Sequence, residues 1–152
     1  MTEVELAWTA GLFEGEGSVR ISKPAQRNWG SLVVSTVNTD IQIIEWFQVR
    51  WPGCMKVVTG MRPEQKTAWF WVLAAKKAAA FLEQIVPYIV RDAMREKIRI
   101  GLDFQAGKSS RARWMTESER YAYAEQQWNA YWWMGHLNER GRPEFDQHRR
   151  RK

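Results

Sequence analysis

A single cysteine, Cys54, is all the thiol chemistry in this chain of 152 residues, which excludes an intrachain disulfide and a cysteine-based zinc cluster. Its own reading is a small buried hydrophobe. Histidine is nearly as scarce: His136 and His148 both lie near the C-terminus and read as surface side chains, not as a nucleophile or a base. No apolar run is long enough to span a bilayer. Glu3 and Glu5 stand where a secretory leader would carry basic residues. These absences point to a reducing, intracellular setting. Acidic residues are outnumbered, 17 against 23 Lys and Arg, for a net charge of +6. A polyanion, with nucleic acid first, is therefore the partner to consider.

What the chain has in quantity is apolar and aromatic surface: 45% hydrophobic residues, including 10 Trp. That suits one domain with a real core. Val4 to Gly15 reads as a mostly apolar helix that Gly17 ends. Ser18 to Lys23 alternates, with Val19 and Ile21 on one side and Ser18, Arg20 and Ser22 on the other, as a half-buried strand does. Ser31 to Val37 completes a hairpin. Asn38-Thr39-Asp40 offers N-caps for a helix running to about Trp51. Met55 to Thr59 and Thr67 to Leu73 are further strands. Lys76 to Ile89 is a helix interrupted by Pro87, and another runs from Asp92 to Gln105. Thr116 to Glu119 is a capping box that opens a long helix to about Leu137. Its aromatic stripe, Tyr121, Trp128, Tyr131 and Trp132, is expected to dock on the domain or on a partner subunit. The order predicts an α+β fold, an αββαββα core with a four-stranded antiparallel saddle-shaped sheet plus C-terminal helices. The expected division is a core over 1–106, a basic linker over 107–115, a helical extension over 116–140 and a disordered basic tail over 141–152.

The run Thr9 to Gly17, TAGLFEGEG, concentrates unusual features. Gly11 and Gly15 lie four apart, on one helix face. A helical glycine costs roughly 1 kcal/mol against alanine, and close approach of another backbone is the usual reason to keep two. Glu14 and Glu16 fall in the last turn, against the negative end of the helix dipole. A bound cation removes that conflict, and Mg²⁺ is often held by only one or two carboxylates plus substrate phosphate oxygens.

TAGLFEGEG resembles a LAGLIDADG motif with Thr for the first Leu and Glu for both Asp. The resemblance continues in order through the hairpin, VNTDIQIIEWF, WFWV, FLEQIVPYI, and the stretch from Trp114 to Arg142 that carries LNERG. It implies a single-motif, homodimeric homing endonuclease. The motif helix would be the dimer interface, through Ala10, Gly11, Glu14 and Gly15. Glu16 would hold the catalytic metal, Mg²⁺ or a substitute such as Mn²⁺, helped by the Gly15 carbonyl. Glu is one methylene longer than the family's Asp. Asn38 matches the place of a residue that orients water, although it reads equally as an N-cap. A basic residue is expected after the Pro-Tyr segment; Asp92 occupies that spacing, and Arg91 beside it is the candidate. The resemblance further implies double-stranded DNA as partner, no small-molecule substrate, and a cytoplasmic, prokaryotic or phage-encoded protein serving intron or intein mobility.

Such a sheet reads the major groove with the face opposite its apolar residues. The expected readers are Arg20 and Ser22, then Ser31, Val33 and Ser35, then Lys56 and Val58, then Trp69 and Trp71. Apolar residues occupy both faces of the last strand, so Phe70 and Val72 are the alternative pair there. Lys23, Gln26, Arg27, Arg62, Gln65 and Lys66 are loop candidates for phosphates or outer bases, and Lys108, Arg111, Arg113 and Arg149 to Lys152 form a further basic group. With few long polar side chains on the face, shape and contact to thymine methyls are expected to contribute. The competing readings are a non-cleaving DNA- or RNA-binding protein of the same fold, such as a maturase or regulator, and an unrelated basic interaction protein.

Overall fold

The structure, a computed structural model, describes residues 1–24, 29–58, 66–108 and 114–139. Helix α1 spans Glu3–Glu16 and opens on a capping box: the Glu5 amide donates to the Thr2 hydroxyl at 3.2 Å while the Thr2 amide donates to the Glu5 carboxylate at 2.8 Å. The Arg50 guanidinium, 2.8 Å from Glu5, and the Thr2 amide together hold that carboxyl down at about 2. Strand β1 (Gly17–Ile21) follows without a loop, then β2 (Leu32–Asn38), α2 (Ile41–Arg50), β3 (Cys54–Val58), β4 (Ala68–Ala74), α3 (Ala75–Ile85), a single 3-10 turn (Val86–Tyr88), α4 (Asp92–Ala106) and α5 (Glu117–Asn138). The turn is where Pro87 removes a helical donor, so the predicted helix to Ile89 stops at Ile85. Asp40, not Asn38, caps α2, accepting from the Gln42 amide at 2.9 Å.

The four strands form one antiparallel sheet in the order β1-β2-β4-β3, with every described helix resting on one side of it. The register pairs Val19 with Val34, Ile21 with Leu32, Val34 with Leu73 and Thr36 with Trp71, so these residues share the helix side. There they meet Phe13, Phe47, Trp51 and Phe81 in one core. Phe81 takes edge contacts from Phe13, Trp51 and Trp71 at centroid separations of 5.1, 4.9 and 5.3 Å, the geometry aromatic rings prefer. The Trp71 indole N–H donates to the Trp51 carbonyl at 3.1 Å, so this large side chain is buried without an orphaned donor.

Helix α5 docks on its own domain. Met134 is buried, Ala130, Tyr131 and Leu137 pack against the core, and the Asn138 amide donates to the Val19 carbonyl of edge strand β1 at 2.9 Å. Lys108 is turned inward as well: its ammonium donates to the Gly30 carbonyl, and burial lowers its pKa. It ties the end of α4 to the residues that lead into β2. No helix among the described residues is long and apolar enough to cross a membrane.

Candidate active site and nucleic-acid face

The end of α1 exposes Gly15 and Glu16, and the chain passes directly into β1 because the Gly17 amide donates to the Phe13 carbonyl and closes the helix. A Cβ on Gly17 would lie 2.4 Å from both that carbonyl and a Phe13 ring carbon. Gly17→Ala must therefore displace either a fully buried ring or the backbone that carries Glu16. A loss of about 1–3 kcal/mol is expected from overpacking at this junction, visible as a fall in thermal midpoint. An unchanged midpoint would show that the junction relaxes freely.

Glu14 behaves differently from its neighbour. Its carboxylate accepts from the Val90 amide at 2.9 Å and the Arg91 amide at 2.7 Å, and the Arg91 guanidinium donates back to the Glu14 carbonyl at 3.3 Å. The carboxylate thus fastens the start of α4 to the end of α1 within the chain. The same tie brings Arg91 to the helix end that carries Glu16, with a positive charge beside the negative end of the dipole. Asp92 points away, with a side chain 99% exposed and 3.6 Å from Arg95. The pairing of Gly17 with Thr36 puts Asn38 two residues further, at the end of β2 nearest Glu16. Its carboxamide oxygen accepts from the Asp40 amide at 2.8 Å, so Asn38 shapes the turn into α2.

Among the described residues there is no cluster of three or more His, Cys, Asp or Glu. The end of α1 offers the exposed Glu16 carboxylate and the adjacent Gly15 carbonyl, with no basic residue in the last turn of the helix. That hard-oxygen donor set fits a divalent ion that would complete its shell from phosphate and water.

On α1, Gly11 and Gly15 are exposed, and a Cβ added to either meets nothing within 4 Å. Val4, 78% exposed, and Trp8, 47% exposed, continue the apolar surface toward the N-terminus. Ala10 does not belong to it. It is fully buried in the core, because it lies about 100° around the helix from Gly11.

The side of the sheet away from the helices is the candidate nucleic-acid face. Arg20, Val33, Ser35, Lys56 and Val58 fall on that side by register, and Ser22 and Ser31 flank the strands, joined by a hydrogen bond from the Ser22 amide to the Ser31 carbonyl at 2.8 Å. Val33 and Ser35 are only 7% and 6% exposed, however, so they floor the face and offer little to a ligand. Trp69 and Trp71 are on the helix side of the sheet: Trp71 is completely buried and Trp69 packs against the core. The outward residues of β4 are Phe70 and Val72, which the alternation of apolar residues in AWFWVLA left undecided. Cys54, expected inside, is exposed at the first position of β3. Val37, which was missed, is outward and 37% exposed. Lys23 and Lys66 are exposed at the loop bases. Gln26, Arg27, Arg62, Gln65, Arg111, Arg113, His148 and Arg149 to Lys152 lie outside the described residues.

An acidic helix end that feeds a two-layer α+β domain with one open sheet face is the architecture of the LAGLIDADG homing endonucleases, and the chain has that fold. The archaeal intron-encoded homing endonuclease I-Vdi141I, seen in complex with DNA, aligns at TM-score 0.69 and 14% identity over 97% of this chain and 92% of its own. The homing endonuclease I-CvuI, bound to an uncleaved DNA target in the presence of 2 mM Mg, aligns at 0.67 and 14% over 94% and 87%. I-SmaMI, a LAGLIDADG homing endonuclease bound to cleaved DNA, aligns at 0.58 and 12% over 90% of this chain and 44% of its own. No family model and no curated relative matches the sequence.

Proposed function

We propose that the protein is a metal-dependent, sequence-specific double-strand DNA endonuclease that acts as a homodimer on palindromic or pseudo-palindromic sites and serves the mobility of an intron or intein in a prokaryotic or phage setting. The observation that carries this reading is the exposed Gly15-Glu16 pair at the end of α1, one strand position from a sheet face that holds Arg20 and Lys56 and no acid. The core over 1–106 would do the chemistry, with the C-terminal helix as its brace.

Glu16 and the Gly15 carbonyl would hold a divalent ion, Mg²⁺ or Mn²⁺, which supplies charge neutralisation and polarisation at the scissile phosphate. Arg91, held against the Glu14 carbonyl, would set a fixed positive charge next to the phosphate, where preorganised charge is worth most. Asn38 would orient the attacking water from the other side. Pairing of α1 with its mate about a twofold axis would bring two such half-sites to the two strands.

The test is incubation with a library of palindromic duplexes in Mg²⁺ and in EDTA. Double-strand cuts at a defined sequence, in Mg²⁺ only, are expected. Binding without cutting in every divalent ion tried would leave a maturase-like or regulatory binding protein, and no binding at all would overturn the reading.

A further inference from the structure

The outer sheet face is unusual for a surface that reads DNA, because its two central strands carry no long hydrogen-bonding side chain. Strand β2 presents Val33, Ser35 and Val37 there, and β4 presents Ala68, Phe70, Val72 and Ala74. None of the four strands contains Asp or Glu. The basic residues lie at diagonal corners. Arg20 sits on edge strand β1 in the row of Val33 and Ala74, and Lys56 sits on edge strand β3 in the row of Phe70 and Val37.

Charge complementarity commits such a face to a polyanion and leaves its apolar middle to be explained. In the major groove the hydrogen-bond donors and acceptors of the base edges need polar partners. The one feature an apolar side chain can read is the 5-methyl group of thymine. Arg and Lys at the corners match the O6 and N7 acceptors of guanine. We propose that this protein recognises each half-site through thymine methyls packed on Val37, Phe70 and Val72, with guanine read at the flanks by Arg20 and Lys56. The inference rests on the nuclease reading and names the class of target: A·T-rich tracts with thymine toward the sheet, bounded by G·C pairs.

The test uses the full chain. A bound site is first selected from a randomised duplex pool. It is then resynthesised with deoxyuridine for thymidine, which removes the methyl and keeps every hydrogen-bonding group. Affinity is expected to fall about fourfold per contacted methyl, the equivalent of burying one methyl group, and not to change when the same replacement lies outside the half-sites. Phe70→Ser and Val37→Ser are expected to reduce the difference between thymidine and deoxyuridine at the methyls they touch while leaving the preference at the flanks. A selected site that binds and is cut equally well with deoxyuridine would overturn this inference and leave the nuclease reading intact. Selection of no site would overturn both. A G·C-rich consensus under the central strands would overturn the inference without any variant being made.

Discussion

Glu16→Gln is expected to reduce DNA cleavage by at least about a thousandfold, the scale of losing a principal source of charge stabilisation in a hydrolytic site, while DNA affinity without metal is retained. The substitution keeps the shape of the side chain and removes only its charge. Glu16 is exposed at the end of α1 and α1 has no basic residue in its last turn, so the carboxylate opposes the helix dipole. Neutralising it should leave the metal-free protein as stable as before or stabilise it by up to about 1 kcal/mol. A thermal midpoint that holds or rises while activity disappears separates a functional carboxylate from a structural one. Glu16→Asp, which shortens the side chain and keeps the charge, is expected to retain cleavage. Persistent cutting by the Gln variant would remove Glu16 from the reaction, and the proposed metal with it.

The second large effect is expected at Gly11. Exposed glycines in the middle of a helix sacrifice about 1 kcal/mol each relative to alanine. Space does not require them in the single chain, since a Cβ on Gly11 or Gly15 meets nothing within 4 Å. Gly11→Leu should therefore hold or raise the midpoint of the isolated subunit. In the proposed dimer, across its twofold axis, the same side chain would be introduced twice into one contact. Overpacking of about 1–3 kcal/mol per copy weakens the dimer by at least about thirtyfold. Sedimentation should show monomers, and double-strand cutting should be lost at concentrations where the parent protein is dimeric. A Gly11→Leu variant that remained dimeric and active would place the interface elsewhere.

Both variants act where the sequence was most informative. The two glycines, the acidic residues beside the second of them and the abrupt passage into an alternating strand sit together in nine residues, and each departs from what an ordinary amphipathic helix would contain. Locality made this stretch readable: helix phase puts Gly11 and Gly15 on one face, and the capping amide of Gly17 lies next to Glu16 in the chain. Ala10 was misassigned for the complementary reason. It is adjacent in sequence to Gly11 yet about 100° away around the helix, which sends it into the core.

The same contrast runs through the sheet. In GSVRI, apolar and polar residues alternate, and the buried side of β1 is legible at once. In AWFWVLA every side chain is apolar, and no local rule chooses between Trp69-Trp71 and Phe70-Val72. Only the pairing of Trp71 with Thr36 on one side and Met55 on the other, and the indole hydrogen bond to Trp51, put the tryptophans inside. Arg91 and Glu14 are 77 residues apart, and their reciprocal contact follows from packing the 3-10 turn and the start of α4 against the end of α1.

By itself, the sequence determined the order of elements, the site of the helix end with its exposed carboxylate, and the basic character of the surface, because each of these follows from residues within a few positions of one another. The tertiary structure alone decided which face of β4 is outward, that Glu14 is tied to the start of α4 and that Arg91 stands at the end of α1, because these depend on strand register and on contacts between segments that only folding brings together.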